Sequence, residues 1–137
     1  MDFAAIDARL LSHPGATKAL HEKWGWMVYW VGGKQFACEF TTGAEAKPPY
    51  ANRHLLSLRC SPERNMELRA EFPDVILPAY YSDGRTWISI DLDAVDNVIP
   101  KSLVLELCDL SYANAFINLT KKQQWQVFEE AYKTIEP

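Results

Sequence analysis

The chain has 137 residues, of which 48% are hydrophobic and 23% charged, a composition typical of a globular protein. This length is enough for one hydrophobic core and short for two, so we predict a single domain over residues 1–137. Fourteen Lys and Arg against eighteen Asp and Glu give a net charge of -4. That charge argues against a protein that coats a polyanion, although it leaves room for a local basic patch.

The cysteines and the N-terminus indicate a reducing, cytoplasmic location. Cys38, Cys60 and Cys108 are odd in number and form no C-x-x-C motif, so they predict neither a disulfide framework nor a zinc site. The N-terminus lacks the positive flank and continuous apolar stretch of a signal peptide. The longest apolar run, Trp26 to Val31, is too short to cross a bilayer, so no membrane partner is expected.

The first predicted elements are a helix and a hairpin. Apolar residues at helical spacing between Phe3 and Leu11, with Asp2 as N-cap, predict the helix. The runs Trp26 to Val31 and Gln35 to Phe40 are rich in aromatic and β-branched residues and predict two strands. Gly32-Gly33 between them suits a tight primed turn, which makes the pair a hairpin.

A third strand and a second helix follow. Residues 55–60 alternate between two faces. The inward set is Leu56, Leu58 and Cys60, and the outward set is Leu55, Ser57 and Arg59. Ser61 as N-cap and Pro62 at the first helical position predict a helix that runs to about Glu71 and stops before Pro73.

A second hairpin is predicted around Asp83-Gly84, between Leu77 to Tyr81 and Arg85 to Leu92. In the latter strand, Ile88, Ile90 and Leu92 would face the core, and Trp87, Ser89 and Asp91 the opposite side.

Two helices complete the chain. Pro100 would begin the first, with Leu103, Leu107 and Leu110 on its apolar stripe. Thr120 and Gln123 form a capping box for the last helix. Its apolar face would consist of Trp125, Phe128, Tyr132 and Ile135. The order of elements predicts an α+β fold with two layers, an antiparallel sheet backed by helices on one face.

Motifs for catalysis and cofactor binding are missing from the sequence. Val31-Gly32-Gly33-Lys34 lacks the spacing of a phosphate-binding loop, and His21-Glu22 lacks the second histidine of a zinc peptidase. No G-x-S-x-G motif occurs, and the three histidines have no nucleophile pattern nearby. We therefore expect a non-enzymatic protein with no catalytic residue, metal site or cofactor.

The sheet face opposite the helices is the informative feature. Trp87 points to this outer face by strand alternation, Arg85 shares its register, and Arg59 points the same way on the third strand. An aromatic ring among guanidinium groups is suited to stacking on bases, gripping phosphate or anchoring a protein. Alternatively, the Pro48-Pro49 loop or a second subunit covers Trp87. For the first strand the sequence does not decide which face is buried. Trp26, Val28 and Trp30 form one apolar face, and Met27, Tyr29 and Val31 form the other.

Several short motifs, in this order along residues 3 to 122, resemble the MmcQ/YjbR family of small bacterial proteins. They are His13-Pro14-Gly15-Ala16, Val31 to Ala37, Leu58-Arg59-Cys60-Ser61-Pro62, Leu68-Arg69, Pro78 to Trp87, Asp91-Leu92-Asp93 and Asp109-Leu110-Ser111-Tyr112. The resemblance implies a CyaY-like, frataxin-like fold and DNA binding. The iron binding that the frataxin-like label suggests depends on an acidic first helix, and this one offers only Asp2 and Asp7.

The chain departs from the family pattern in its basic residues. It keeps Tyr80, Arg85 and Trp87, but Tyr81 stands where the family usually has His. Gly84 and Thr86 likewise replace a Lys and a second His, Ser61 replaces an Asp, and Arg59 replaces a Lys.

Two functional hypotheses follow. The first is a DNA- or RNA-binding protein that uses Lys34, Arg59, Tyr80, Tyr81, Arg85 and Trp87 on the outer face. The alternative, which the acidic composition favours, is an interaction module that binds a protein or a small ligand with the same face. Salt dependence would discriminate between them, since phosphate contacts weaken steeply with salt.

Overall fold

The computed structural model describes residues 3–135, apart from the side chains of residues 132, 134 and 135. The predicted cap at Asp2 and the predicted apolar contacts of Tyr132 and Ile135 therefore lie outside the described part. The elements are α1 (Phe3–Leu11), β1 (Thr17–His21), β2 (Trp26–Val31), β3 (Lys34–Thr41), β4 (His54–Arg59), α2 (Pro62–Glu71), β5 (Ile76–Pro78), β6 (Trp87–Asp91), a short 3-10 helix (Leu92–Ala94), α3 (Lys101–Ile117) and α4 (Lys121–Ile135).

The strands form one antiparallel sheet in the order β1-β2-β3-β4-β6-β5. Helix α3 packs against β2, β3 and β4, and α1 packs against α3. The α+β class predicted from the order of elements is confirmed.

Strand β1 was missing from the predicted elements. It pairs with β2 along its whole length, yet all five of its residues are exposed. An edge strand that buries neither face carries no alternation of apolar and polar residues. Only its backbone pairing defines it.

The first hairpin is confirmed, with Gly32 and Gly33 at φ values of 55° and 85° in the turn. A bulge interrupts the register, because Tyr29 pairs with Ala37 while Trp30 pairs with Gln35. Phe36 is the extra residue, and both it and Ala37 join the core under the helices. The Ser111 hydroxyl on α3 donates to the Phe36 carbonyl and accepts from the Arg59 N–H at 2.9 Å.

The structure also decides the open question about β2. Met27, Tyr29 and Val31 belong to the core under the helices. Trp26, Val28 and Trp30 lie on the outer face, where Val28 joins a second, smaller apolar cluster with Cys38, Phe40 and Leu55.

The second hairpin has the predicted partners but not the predicted turn. Strands β5 and β6 pair antiparallel, yet residues 79–86 separate them and Gly84 has no positive φ. Asp83 organises the end of this loop, since its carboxylate accepts from the Arg85 N–H at 3.0 Å and from the Thr86 hydroxyl at 3.2 Å. The side chain of Asp83 thus stabilises a wide loop in place of a two-residue turn.

Helix α2 begins as predicted, with the Ser61 hydroxyl accepting from the Arg64 N–H. The capping box at Thr120 and Gln123 is also present. The predicted apolar stripes of α3 and α4 are partly wrong, because Leu110 is half exposed and Trp125 and Phe128 are 67% and 53% exposed.

The buried face of each of these helices includes residues outside the predicted stripe. In α3 it is Val104, Leu107, Cys108, Ser111, Tyr112 and Ala115. In α4, Val127 packs against Gly15, and Gln124 donates to the carbonyls of Phe116 and Leu119 at the end of α3. Helix α4 thus contacts the rest of the protein through Gln124 and Val127, while Trp125 and Phe128 are more than half exposed.

All three cysteines are free and buried. Cys60 and Cys108 lie in the core under the helices, and Cys38 lies in the outer cluster.

Candidate ligand-binding site

Arg59 and Trp87 face each other on the outer side of the sheet, as strand alternation predicts. They are cross-strand partners, and the guanidinium carbon of Arg59 lies 5.0 Å from the Trp87 ring centroid. Arg59 Nε also donates to the Gln35 carbonyl at 2.7 Å. Burial lowers the pKa of Arg59 from its usual value. The pair is therefore engaged within the protein, with one face of the indole ring occupied.

The other predicted basic residues are dispersed. Arg85 is exposed, but it lies in the turn before β6 and so does not share the strand register of Trp87 as predicted. Its loop is held by Asn65, whose amide nitrogen lies 3.0–3.2 Å from the carbonyls of Gly84, Arg85 and Trp87. Lys34 pairs with Val31, whose side chain is in the core under the helices. Residues paired across a hairpin share a face, so the register places Lys34 on the opposite side of the sheet from Arg59. Lys34 and Arg59 do not form one basic patch.

The middle of the outer face is covered, a point that the sequence left undecided. Leu55, Ser57 and Ser89 point outward as predicted, but Ser57 is 2% exposed and Ser89 is 0% exposed. Their hydroxyl oxygens lie 2.7 Å apart, and Ser89 also accepts from the Tyr80 N–H at 3.0 Å. The loop after β5 is thereby drawn over the sheet. The ring of Tyr80 packs beside Phe40 and Tyr50, and these contacts cover the apolar cluster that contains Leu55.

This loop forms one wall of a cleft of about 670 Å³ at the end of the outer face. Its aromatic lining consists of Trp24, Trp26, Phe40, Tyr80 and Tyr81, and residues 41–46 close the other side. We call this the aromatic cleft. It unites two of the predicted site residues, Tyr80 and Tyr81, with three aromatic residues that the sequence did not mark as functional.

The rings of the cleft are packed against one another in a continuous series. Trp26 stacks on Phe40 with centroids 4.1 Å apart, and Trp24 lies 5.3 Å from Trp26. Tyr80 lies 5.6 Å from Phe40 and 4.4 Å from Tyr81. Such contacts restrict the rings to defined positions, so the walls of the cleft are preformed.

Two rings of the cleft are widely exposed. Trp24 is 59% exposed and Tyr81 is 85% exposed. Tyr81 has a φ of 57°, a left-handed conformation that is costly for a residue with a side chain. Strain of this kind is concentrated at binding and catalytic sites, where the surrounding structure holds it in place.

The charge at the cleft is negative. Glu45 lines it, and no Lys or Arg side chain is among the described residues of its lining. The pKa of Tyr80 is raised by desolvation, by its interaction with the Tyr81 hydroxyl and by the negative charge of Glu45. Lys47 lines an adjoining groove that shares Glu45, Tyr80 and Tyr81 with the cleft.

Sequence reasoning missed Trp24, Trp26, Phe40 and Glu45 as site residues. The available signal was the density of aromatic residues from Trp24 to Trp30, together with the undecided face of β2. That signal does not point to a cleft, because the opposite wall comes from a loop more than fifty residues later in the chain.

Another cleft, of about 720 Å³, lies between residues 11–17 and α4. Beside it, Asp109 accepts two hydrogen bonds from Arg9, at 2.9 and 2.6 Å, and lies 2.8 Å from His13 Nε2. His13 stacks on Tyr112 at 4.5 Å, and the Tyr112 hydroxyl donates to the Pro14 carbonyl. These contacts join the His13-Pro14-Gly15 and Asp109 to Tyr112 motifs, and their evident role is to hold α1 against α3.

Within the described residues, no three His, Cys, Asp or Glu side chains are placed to share a metal ion. No helix in residues 3–135 has both the length and the apolar character needed to span a membrane.

Comparison with known proteins shows the relationships of the chain. The crystal structure of the Deinococcus radiodurans protein DR2400, which carries the DUF419 domain, is similar with a TM-score of 0.73 and 23% identity over 90% of this chain and 86% of that one. A protein from Pseudomonas syringae is similar with a TM-score of 0.66 and 18% identity over 84% of this chain and 99% of that one. A search of curated proteins gives no match. The YjbR family model matches residues 11–114, so the chain belongs to the YjbR family, as its short motifs predicted.

Proposed function

We propose that this protein is a binding protein that holds a small organic ligand in the aromatic cleft. The observation that carries the proposal is the convergence of five aromatic residues from β2, β3, the β1-β2 turn and the β5-β6 loop on one concave surface. Concave, largely preformed clefts lined by aromatic side chains are typical small-molecule sites. Of the two functional hypotheses, we therefore favour the module that binds a small ligand over the nucleic-acid-binding protein.

The size and exposure of the cleft support a ligand rather than internal packing alone. Trp24 and Tyr81 leave most of their surface in water although their neighbours are tightly packed. Exposed aromatic surface next to a rigid cleft gains free energy when a ligand covers it. The polar groups of Thr41 and Glu45, which line the cleft and are exposed, would orient the ligand.

We further propose that the role is non-enzymatic and cytoplasmic. No Ser, Cys or His side chain is among the described lining residues of the cleft, so it offers no Ser–His or Cys–His pair of nucleophile and base. The three buried, free cysteines fit a reducing compartment.

The test is a titration of the ¹⁵N-labelled protein with indole, p-cresol and choline, followed by amide chemical shifts. We expect at least one probe to shift Gly43, Trp24 and Tyr81 at millimolar concentration, and Tyr81→Ala to weaken that binding. Trp125→Ala is the matched control, since Trp125 is as exposed as Trp24 but lies on α4. If none of the probes shifts the cleft residues in a folded protein, the proposal is wrong.

A second candidate function is nucleic-acid binding, which rests on Arg85. This residue is exposed in the turn two residues before the half-buried Trp87, which the Arg59 guanidinium contacts. Phosphate contacts by this group would make the affinity for single-stranded DNA fall with salt, and Arg85→Ala would reduce the slope of log affinity against log salt by about one unit. Fluorescence anisotropy at low and physiological salt measures both. Absence of binding at low salt would remove this candidate.

A further inference from the structure

We infer that the ligand of the aromatic cleft is an organic ammonium cation, such as a quaternary or methylated amine. The inference rests on the proposed function and names the chemical class of its ligand. It follows from two features found together, the accessible aromatic faces and the Glu45 carboxylate.

The aromatic faces provide the first half of the site. One face of Trp24 is covered by the His21 ring at 4.0 Å, and one face of Trp26 is covered by Phe40. The large exposed fraction of Trp24 leaves its other face accessible, and Tyr81 stands opposite on the β5-β6 loop. The negative face of an indole or phenol ring attracts a cation within about 6 Å of its centroid.

Glu45 provides the second half. Its side chain is exposed, lines the cleft and forms no ion pair with the residues described here. The carboxylate folds back over Gly43, where an added Cβ would lie only 2.5 Å from Oε2 and 2.7 Å from Oε1. A glycine at this position therefore allows the carboxylate to lie at the mouth of the cleft.

The same features disfavour the other classes of small ligand. An anion would meet Glu45 with no Lys or Arg among the described lining residues to balance it. A divalent metal ion needs about six oxygen ligands or four nitrogen and sulfur ligands, and this cleft supplies one carboxylate among rings. A weakly hydrated organic cation needs only the aromatic faces and one nearby negative charge.

The decisive probes are choline and 3,3-dimethyl-1-butanol, the uncharged alcohol in which a carbon atom replaces the choline nitrogen. They share shape and hydroxyl group and differ in the positive charge alone. We expect choline to bind at the cleft roughly three- to thirtyfold more tightly than the alcohol, the range that a cation-π contact provides. Amide shifts of Gly43 and Tyr81 locate the binding, and the titrations give both dissociation constants.

Three variants assign the preference to its source. Glu45→Gln removes the charge from an exposed side chain and should reduce the choline preference severalfold, because it weakens the binding of the cation more than that of the alcohol. Gly43→Ala should act in the same direction, because the added methyl group displaces the carboxylate without removing it. Lys47→Gln, which removes a positive charge from the adjoining groove, should strengthen choline binding or leave it unchanged.

The possible outcomes separate the ammonium inference from the proposed ligand-binding function. Equal affinity for choline and the alcohol at the cleft, or binding of indole with no binding of choline, overturns the ammonium inference and leaves the ligand-binding function standing. Binding of none of these probes overturns both. Weaker choline binding in Lys47→Gln than in the unmodified protein would show that the positive charge of Lys47 does not oppose the bound cation, and it would contradict the inference.

Discussion

The Arg59 guanidinium packs over the Trp87 ring at 5.0 Å, and the two residues are direct partners across β4 and β6. The contact occupies the aromatic surface that would otherwise be free to bind bases. The pair lies on the same face of these strands as the buried Ser57–Ser89 pair, two residues further along each strand. Trp87 is thus part of the structure of the outer face, while the accessible aromatic surface lies in the aromatic cleft.

Replacing Trp87 by Ala should lower the free energy of unfolding by about 1–2 kcal/mol, from the lost cation-π contact and the partial burial of the ring. Ile88→Ala on the opposite face should cost more, about 2–5 kcal/mol, because Ile88 is fully buried and leaves a cavity. Urea denaturation compares the two variants. Equal losses would show that Trp87 belongs to a core as tightly packed as that around Ile88.

Removing the cap of α2 with Ser61→Ala should lower the free energy of unfolding by about 1 kcal/mol, since the Arg64 N–H loses its acceptor. Ser82→Ala, in the exposed β5-β6 loop, is the matched control and should be nearly neutral. Chemical denaturation measures both changes. An unchanged midpoint for Ser61→Ala would mean that water replaces the cap at no cost.

Ser89→Ala tests whether the buried hydroxyl pair positions the cleft. The change leaves the Tyr80 N–H and the Ser57 hydroxyl without their partner, which should cost about 1–3 kcal/mol of stability. Because Tyr80 is a wall of the cleft, ligand affinity should fall as well. Ser57→Ala serves as the control: it removes only the hydroxyl contact and should leave the affinity closer to that of the unmodified protein. Equal affinities for the two variants would contradict this role of Ser89.

The contact of α1 with α3 should make the protein sensitive to acid. The pKa of Asp109 lies below its usual 3.8, mainly because Arg9 donates hydrogen bonds to the carboxylate. A carboxylate with a lowered folded-state pKa stabilises the protein above its unfolded pKa, and this stabilisation is lost as pH falls through the folded value. Stability should therefore decline below about pH 4.

Asp109→Asn should be less stable than the unmodified protein at neutral pH, with a shallower decline in acid. Asp74→Asn is the control, because Asp74 is exposed and no ion pair to its side chain is present in the described part. Thermal denaturation from pH 7 to pH 2 measures the slopes. Parallel curves for Asp109→Asn and the unmodified protein would show that the ion pair contributes nothing.

The elements that could be predicted are those with a local physical cause. Ser61-Pro62 starts α2, Thr120 with Gln123 starts α4, and Gly32-Gly33 turns the first hairpin. In each case the structure depends on a side chain or a backbone preference of residues that are neighbours in the sequence. The outward direction of Arg59 and Trp87 also followed from strand alternation alone.

The buried face of α4 was assigned wrongly because it depends on residues outside that helix. Helix α4 has a large aromatic stripe through Trp125 and Phe128, yet it is buried on the side of Gln124 and Val127. Gln124 finds backbone carbonyls at the end of α3, and Val127 fits against Gly15. Neither partner is visible from the sequence of α4 itself.

The sequence by itself determined the family, the α+β class, the helix caps and the facing of β4 and β6, because these depend on motif order and on the periodicity of single elements. The tertiary structure alone decided that the outer face is covered and that a cleft forms at its end. The physical reason is that Tyr80 reaches the sheet through a hydrogen bond to Ser89 and through ring contacts with Phe40 and Tyr50, residues far apart in the chain. Burial and the shape of a cleft depend on such distant packing, and no spacing within one segment encodes them.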